Sequence, residues 1–236
     1  MSRYNEIFAV MKRDLRSFFN NPIAYIVITV FLSVTGFYFF MFFFYNNQAE
    51  MRGLFDLLPL LFFLFIPAVT MKLFSEERQT GSLEILLTLP VSTRDVVIGK
   101  FLAGLVFSMI MVSPTLIYLL TVILNGSPDY GPVIGGYAGV IFLAGAYTAL
   151  GLLASSVTRN QIIALITGWV ICFFFWGIDW VARFVPAKLN FIAMLGTDYH
   201  FKSIARGSVD TRDIIYFVSV IAIALILTIK IVEERR

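Results

Sequence analysis

Six long apolar stretches separated by short polar segments dominate the chain. They run over about 23–45, 54–74, 96–124, 133–157, 161–178 and 214–231. Each is long enough, at roughly 18 residues or more, to cross the hydrocarbon core as a helix that satisfies its own backbone hydrogen bonds. The pattern predicts an all-α membrane protein with six transmembrane helices. Ahead of them, Tyr4, Ile7, Phe8, Met11, Leu15, Phe18 and Phe19 recur at helical spacing, while Arg3, Lys12, Arg13 and Arg16 fall largely on the other side. That pattern predicts an amphipathic interfacial helix over 1–21, followed by a six-helix transmembrane domain over 22–236. Its basic residues would face anionic lipid or a soluble partner, and a plain membrane anchor is the alternative. Asn20-Asn21-Pro22 ends it, with Asn21 as cap and Pro22 in the first position of the next helix.

Composition narrows the class. Hydrophobic residues make up 59% of the 236 and charged ones only 14%, against about 25% charged in an average soluble domain. This excludes a disordered chain, a nucleic-acid-binding domain and an ordinary soluble enzyme. The net charge of +3 matters less than its distribution. Twelve of the 18 Lys and Arg residues lie at the termini, between spans two and three, or between spans four and five. The other six lie on the opposite side. This bias predicts that both termini are cytoplasmic. Residues 1–22 are too polar for a cleavable signal peptide, so the first span is expected to serve as an uncleaved anchor.

The connection Phe74-Ser-Glu-Glu-Arg-Gln-Thr-Gly-Ser-Leu-Glu-Ile-Leu-Leu-Thr-Leu-Pro90 is the most informative segment. Glu76, Glu77 and Arg78 keep its start wet, and Thr80-Gly81-Ser82 reads as a break with a helix cap. Leu83, Glu84, Ile85, Leu86 and Leu87 form a short apolar-rich helix that Pro90 stops, with Glu84 in the first turn where the helix dipole favours an anion. Its apolar residues need a lipid surface or a protein groove. Ser92-Thr-Arg-Asp95 resembles a capping box for the third span. The polar turn Ser155-Ser-Val-Thr158-Arg159-Asn160-Gln161 makes spans four and five antiparallel neighbours. In span four, Gly135 and Gly139 form a GxxxG and Gly145 with Ala149 a second small pair, spacings that let helices approach closely in lipid. Between spans five and six, apolar runs at 180–182, 184–186 and 191–195 fit short re-entrant or interfacial helices. The aromatic run 37–45 reads as an interfacial belt or as a lining for an apolar substrate.

Catalytic chemistry is missing from the pattern. No ionisable residue falls near the middle of a span, which disfavours proton or ion relays. Gly99-Lys100 is the nearest approach to a phosphate loop, but Arg94 and Phe101 break it. Neither a Gly-x-Ser-x-Gly elbow nor a His-Glu-x-x-His zinc helix occurs. The single cysteine, Cys172, reads as a packed apolar residue and the single histidine, His200, as a loop residue. Pro59 and Pro67 are candidates for a kink in span two.

Phe65-Ile-Pro-Ala-Val-Thr-Met-Lys72, the segment 74–91, and Gly99-Lys-Phe-Leu102 together resemble the type-2 ABC exporter permease family, in particular the gliding-motility-type permease subunit. Phe18-Phe-Asn-Asn-Pro-Ile-Ala-Tyr25, Ala146-Tyr-Thr-Ala-Leu-Gly151 and 195–204 support it. The resemblance implies a half-transporter of the bacterial inner membrane that couples ATP hydrolysis by a separate ABC ATPase subunit to substrate movement. It implies that the short helix at 83–87 is a coupling helix, with Glu76, Glu77, Gly81, Leu83, Glu84, Ile85, Leu86 and Leu87 as ATPase-coupling residues. Thr158, Arg159 and Asn160 form a secondary cytoplasmic turn. No cofactor is expected on this chain; ATP and Mg belong to the partner ATPase. The other expected partners are a second permease copy or a related membrane subunit, and lipid, with no nucleic acid. The rival reading is a non-transporting anchor that recruits an ATPase to a cell-envelope or gliding-motility complex.

Overall fold

The structure, a computed structural model, describes residues 3–46, 50–82, 91–126, 128–182, 193–208 and 210–234. Among these residues all regular structure is helical. The elements are α1 (Arg3–Phe19), α2 (Pro22–Asn46), α3 (Arg52–Thr70), α4 (Lys72–Gln79) and α5 (Thr93–Val112). A 3-10 turn, Ser113–Thr115, leads into α6 (Leu116–Asn125), then α7 (Tyr130–Val157), α8 (Gln161–Ala182), α9 (Thr197–Ala205) and α10 (Thr211–Glu233). Six stretches are long and apolar enough to span a bilayer: α2, α3 with α4, α5 through α6, α7, α8 and α10.

Two spans are composite where the pattern predicted single helices. The third breaks at the turn containing Pro114, because proline donates no hydrogen bond and its ring crowds the carbonyl four residues back. The second runs unbroken through Pro59 and Pro67, then divides at Met71, whose N–H donates to the Pro67 carbonyl at 2.9 Å. Local caps fix the helix starts as short polar side chains do elsewhere. The Ile23 N–H donates to Asn21 Oδ1 at 3.0 Å, the Asp95 N–H to Ser92 Oγ at 3.2 Å and the Arg212 N–H to Asp210 Oδ1 at 3.0 Å.

Helix α7 is the axis of the bundle. Its apolar window is 78% buried, against 22% for α2 and α8 and 17% for α10, so these three form the periphery. Helix α7 packs on α3, α5, α8, α9 and α10. Its glycines make this possible. A Cβ at Gly135 would overlap the carbonyl oxygen of Ile204, and one at Gly136 the ring of Phe55. Gly135 and Gly139 therefore seat α9, a helix too short to span, and not a neighbouring span as the GxxxG spacing suggested. Gly145 meets Ile221 of α10.

The connection before the last span also differs from expectation. Residues 180–182 continue α8. Residues 183–192, which include the predicted 184–186 helix and the start of the 191–195 one, lie outside the described residues. Ala193–Leu195 form a 3-10 turn, and the short helix that this connection does contain, α9, lies at 197–205 and not at the predicted apolar runs, because Asp198 and Lys202 dilute its apolar face. Within the aromatic run, Phe37, Phe44 and Tyr45 face outward while Phe39 is buried and stacks on Tyr118 at 5.0 Å.

Gly135→Ala is expected to destabilise the fold by about 1–3 kcal/mol, because backbone cannot yield to the added methyl as a side chain can. Gly53→Ala, where the added carbon meets only the Tyr38 ring at 3.9 Å, should stay within about 1 kcal/mol, the helix preference of alanine included. Denaturation in mixed micelles measures both.

Candidate functional site

The charged residues of one bundle end converge on Lys100. Helix α1 lies along α5, and Gly99 permits the approach, since a Cβ there would sit 2.8 Å from Val10 Cβ. Val10, Asp14 and Phe18, at four-residue spacing, are the buried face of α1. Phe18 anchors it against Phe107 at 5.1 Å between ring centroids, and Lys72 Nζ lies over the Phe18 ring at 4.8 Å. This packing carries the Asp14 carboxylate into the bundle.

Lys100, near the start of α5, is 1% exposed. Its Nζ lies 3.1 Å from Asp14 Oδ2 and 2.8 Å from Glu77 Oε2, and donates to the Leu73 carbonyl at 2.7 Å. The ammonium thus donates two hydrogen bonds, to Asp14 and to the Leu73 carbonyl, with the Glu77 carboxylate in ion-pair contact, and the Phe74 ring faces it at 5.1 Å. Arg13 closes the network from outside. Its Nη2 lies 2.5 Å from Glu77 Oε1 and 2.7 Å from Asp14 Oδ1. Burial works against the Arg13 charge, but Asp14 and Glu77 outweigh it and hold its pKa above the ordinary value. Two cations and two carboxylates make the cluster neutral. It joins α1, α4 and α5 by charge-assisted hydrogen bonds, which are shorter and stronger than neutral ones.

Beside it opens a polar cavity of about 200 Å³, lined by Lys72, Glu76, Thr80 and Ser82 as well as Asp14, Glu77 and Lys100. Of the candidate coupling residues, Glu76 is exposed and Glu77 belongs to the network. Gly81 has φ +74°, a left-handed conformation that favours glycine, with open space where a Cβ would point. Leu83, Glu84, Ile85, Leu86 and Leu87 lie outside the described residues. The chain enters this segment just after α4 and leaves it just before α5, so both its stems are held by the network. In the second turn, Asn160 caps α8, with its Oδ1 accepting from the Ile162 N–H at 2.8 Å, and its own N–H donates to Thr158 Oγ1 at 3.1 Å. Arg159 is exposed.

Three readings need correction. Arg13 does not simply face lipid or a partner, because the carboxylates of Asp14 and Glu77 hold it. Ser155 and Ser156 are not part of the polar turn but lie in the last turns of α7, fully buried. His200 is not a loop residue: it is buried on α9 at the opposite end, with Nδ1 2.6 Å from Asp213 Oδ1 and Nε2 2.7 Å from the Met194 carbonyl. Its ring stacks on Tyr216 at 4.0 Å. Cys172 is buried and free. Among the described residues no group of three or more His, Cys, Asp or Glu could hold a metal ion. Sequence reasoning missed Asp14, whose one signal was a lone acid at the Val10–Phe18 spacing.

Residues 45–232 match the family model described as ABC-2 family transporter protein. The chain belongs to the ABC-2 transporter family. No curated protein matches it. This ABC-2 protein is thus a multi-pass membrane component of a transporter family. The matched region contains Glu77 and Lys100 but begins after α1, so Arg13 and Asp14 come from outside it.

Lys100→Met leaves Asp14 and Glu77 with Arg13 alone and is expected to cost about 3–5 kcal/mol, the range for breaking a buried pair. Adding Glu77→Gln should recover part of that loss, with a coupling of about 1–3 kcal/mol in a double-mutant cycle. Unfolding in mixed micelles measures the cycle, and strict additivity would show that the pair is not a unit.

Proposed function

We propose that this ABC-2 protein is the transmembrane permease subunit of an ABC exporter, coupling ATP hydrolysis on a separate ATPase subunit to substrate movement. The observation that carries the reading is the Lys100 network, which clamps the two stems of the apolar segment 83–90 to each other and to α1. Leu83, Ile85, Leu86 and Leu87 are then the docking surface for a groove on the ATPase, which binds ATP and Mg. Glu76 and Glu84 supply charge at its rim, and Thr158, Arg159 and Asn160 form a second turn on the same side. The α1 end faces the cytoplasm of a bacterial cell, as the excess of Lys and Arg predicts, and α1 lies in the inner-membrane interface. A second permease copy or a related membrane subunit completes the path.

A neutral, buried clamp suits this role. Force applied to 83–90 is taken up by α4, α5 and α1 together instead of bending a solvated loop. Shifting such a two-state machine from 1:99 to 99:1 requires about 5.5 kcal/mol, which the ATPase must supply. Cargo is expected to be something other than a small ion, because the middle of the spans carries no ionisable residue.

Leu86→Asp is expected to leave membrane insertion intact and to abolish co-purification of the partner ATPase. Survival of both co-purification and transport would refute the docking assignment. In vesicles holding the two proteins, ATP-dependent flux supports export. ATPase activity without flux would favour an anchor in a cell-envelope or gliding-motility complex.

A further inference from the structure

The division of span two at Met71 leaves α4 with the problem of every helix start, which is that its first N–H groups have no acceptor within the helix. Met71 has no side-chain oxygen to cap them, and none of its side-chain atoms does so. The acceptor comes from another helix. Ser155 Oγ, on α7, accepts from the Phe74 N–H at 3.0 Å and from the Ser75 N–H at 3.1 Å. The same hydroxyl donates to the Met71 carbonyl at 2.6 Å, and Ser75 Oγ donates to that carbonyl too. One serine hydroxyl thus uses its single proton and both lone pairs across the break. Ser155, Phe74 and Ser75 are all fully buried, so water is no substitute.

The α3 side of the break is held differently. Thr70 returns its hydroxyl to the Ile66 carbonyl of its own helix at 3.0 Å. Gly151, one turn before Ser155, lies so close to Thr70 that a Cβ would overlap Thr70 Oγ1. Here helix α7 meets α3 by close packing of the Gly151 backbone on Thr70, but it grips α4 by directional hydrogen bonds.

We propose that Ser155 is a positioning residue that caps α4 in trans, so that α4 pivots about Met71 with α7 and not with α3. Its mechanical meaning rests on the proposed coupling role, since α4 is the stem that leads to 83–90; the clasp itself does not. Displacement arriving at α4 is then delivered to the central helix of the bundle.

The test uses the full chain in lipid nanodiscs. Ser155→Ala is expected to speed amide hydrogen exchange at Phe74 and Ser75 by roughly tenfold, the factor for losing one hydrogen bond. The Thr80 amide, which donates within α4 to the Glu76 carbonyl at 3.0 Å, should exchange at the wild-type rate. Spin labels at Gln79 and Val157, both exposed, should report one narrow distance distribution in the wild type and a broad one in Ser155→Ala. Should the alanine variant fail to insert, Ser155→Cys, of nearly equal shape but a weaker acceptor, takes its place with the same two readings. Unchanged exchange at Phe74 and Ser75 would overturn the cap. Faster exchange with an unaltered distance distribution would overturn the positioning role. Neither result touches the docking assignment, which Leu86→Asp examines separately.

Discussion

An ammonium group sealed inside a membrane bundle is tolerable only with counter-charges and hydrogen-bond acceptors in contact. Lys100 sets that condition, and α1 and α4 meet it. Glu77 comes from α4, Asp14 from α1 and the Leu73 carbonyl from the first turn of α4. Any separation of α1 from the bundle would strand Lys100 and Glu77 without part of their partners. The N-terminal helix is therefore integral to this end of the molecule and not a loosely attached float. Its buried acid fixes the register of α1 against α5.

The spans were legible because the bilayer imposes one requirement, length of apolar helix, that hydropathy reports directly. Their starts were legible because caps are local: Asn21, Ser92 and Asp210 each serve an N–H two or three residues away. Charge pairing was not. Asp14 and Lys100 are 86 residues apart, and counting Lys100 as a topological charge hid that it is neutralised. Ser155 looked like turn polarity because a serine near a helix end is ambiguous until its partners are seen. The GxxxG of α7 gave close approach correctly but not what approaches, since spacing says nothing of the facing element. At the candidate site, the break at Gly81 was legible in Thr80-Gly81-Ser82 and has its left-handed backbone, whereas Glu77, read as keeping the segment start wet, is held by Lys100 and Arg13.

Several hydroxyl groups along the spans are satisfied within their own helices. Thr35, Thr70, Ser108 and Thr228 return their protons to carbonyls four residues back on their own helices. Satisfied in this way, they add no specific link between spans. Gly104 against Thr148 and Gly168 against Pro67 bring helices close by shape alone. In lipid such contacts rest on packing, because the solvent is as apolar as the side chains.

Polar joints therefore decide which helices keep company. At the α1 end the Lys100 network and the Ser155 clasp join α1, α4, α5 and α7. At the other end, Tyr147 meets Thr197 at 2.9 Å, His200 meets Asp213, and Tyr216 donates to the Leu195 carbonyl at 2.6 Å. These joints bind α9 and the turn before it to α7 and α10. Helix α7 takes part at both ends and is also the most enclosed span. A displacement passed to it at Ser155 reaches α9 through Tyr147 and the backbone contact at Gly135, without crossing a side-chain hydrogen bond elsewhere. The central helix thus takes part in the polar joints at the α1 end and in those that hold α9.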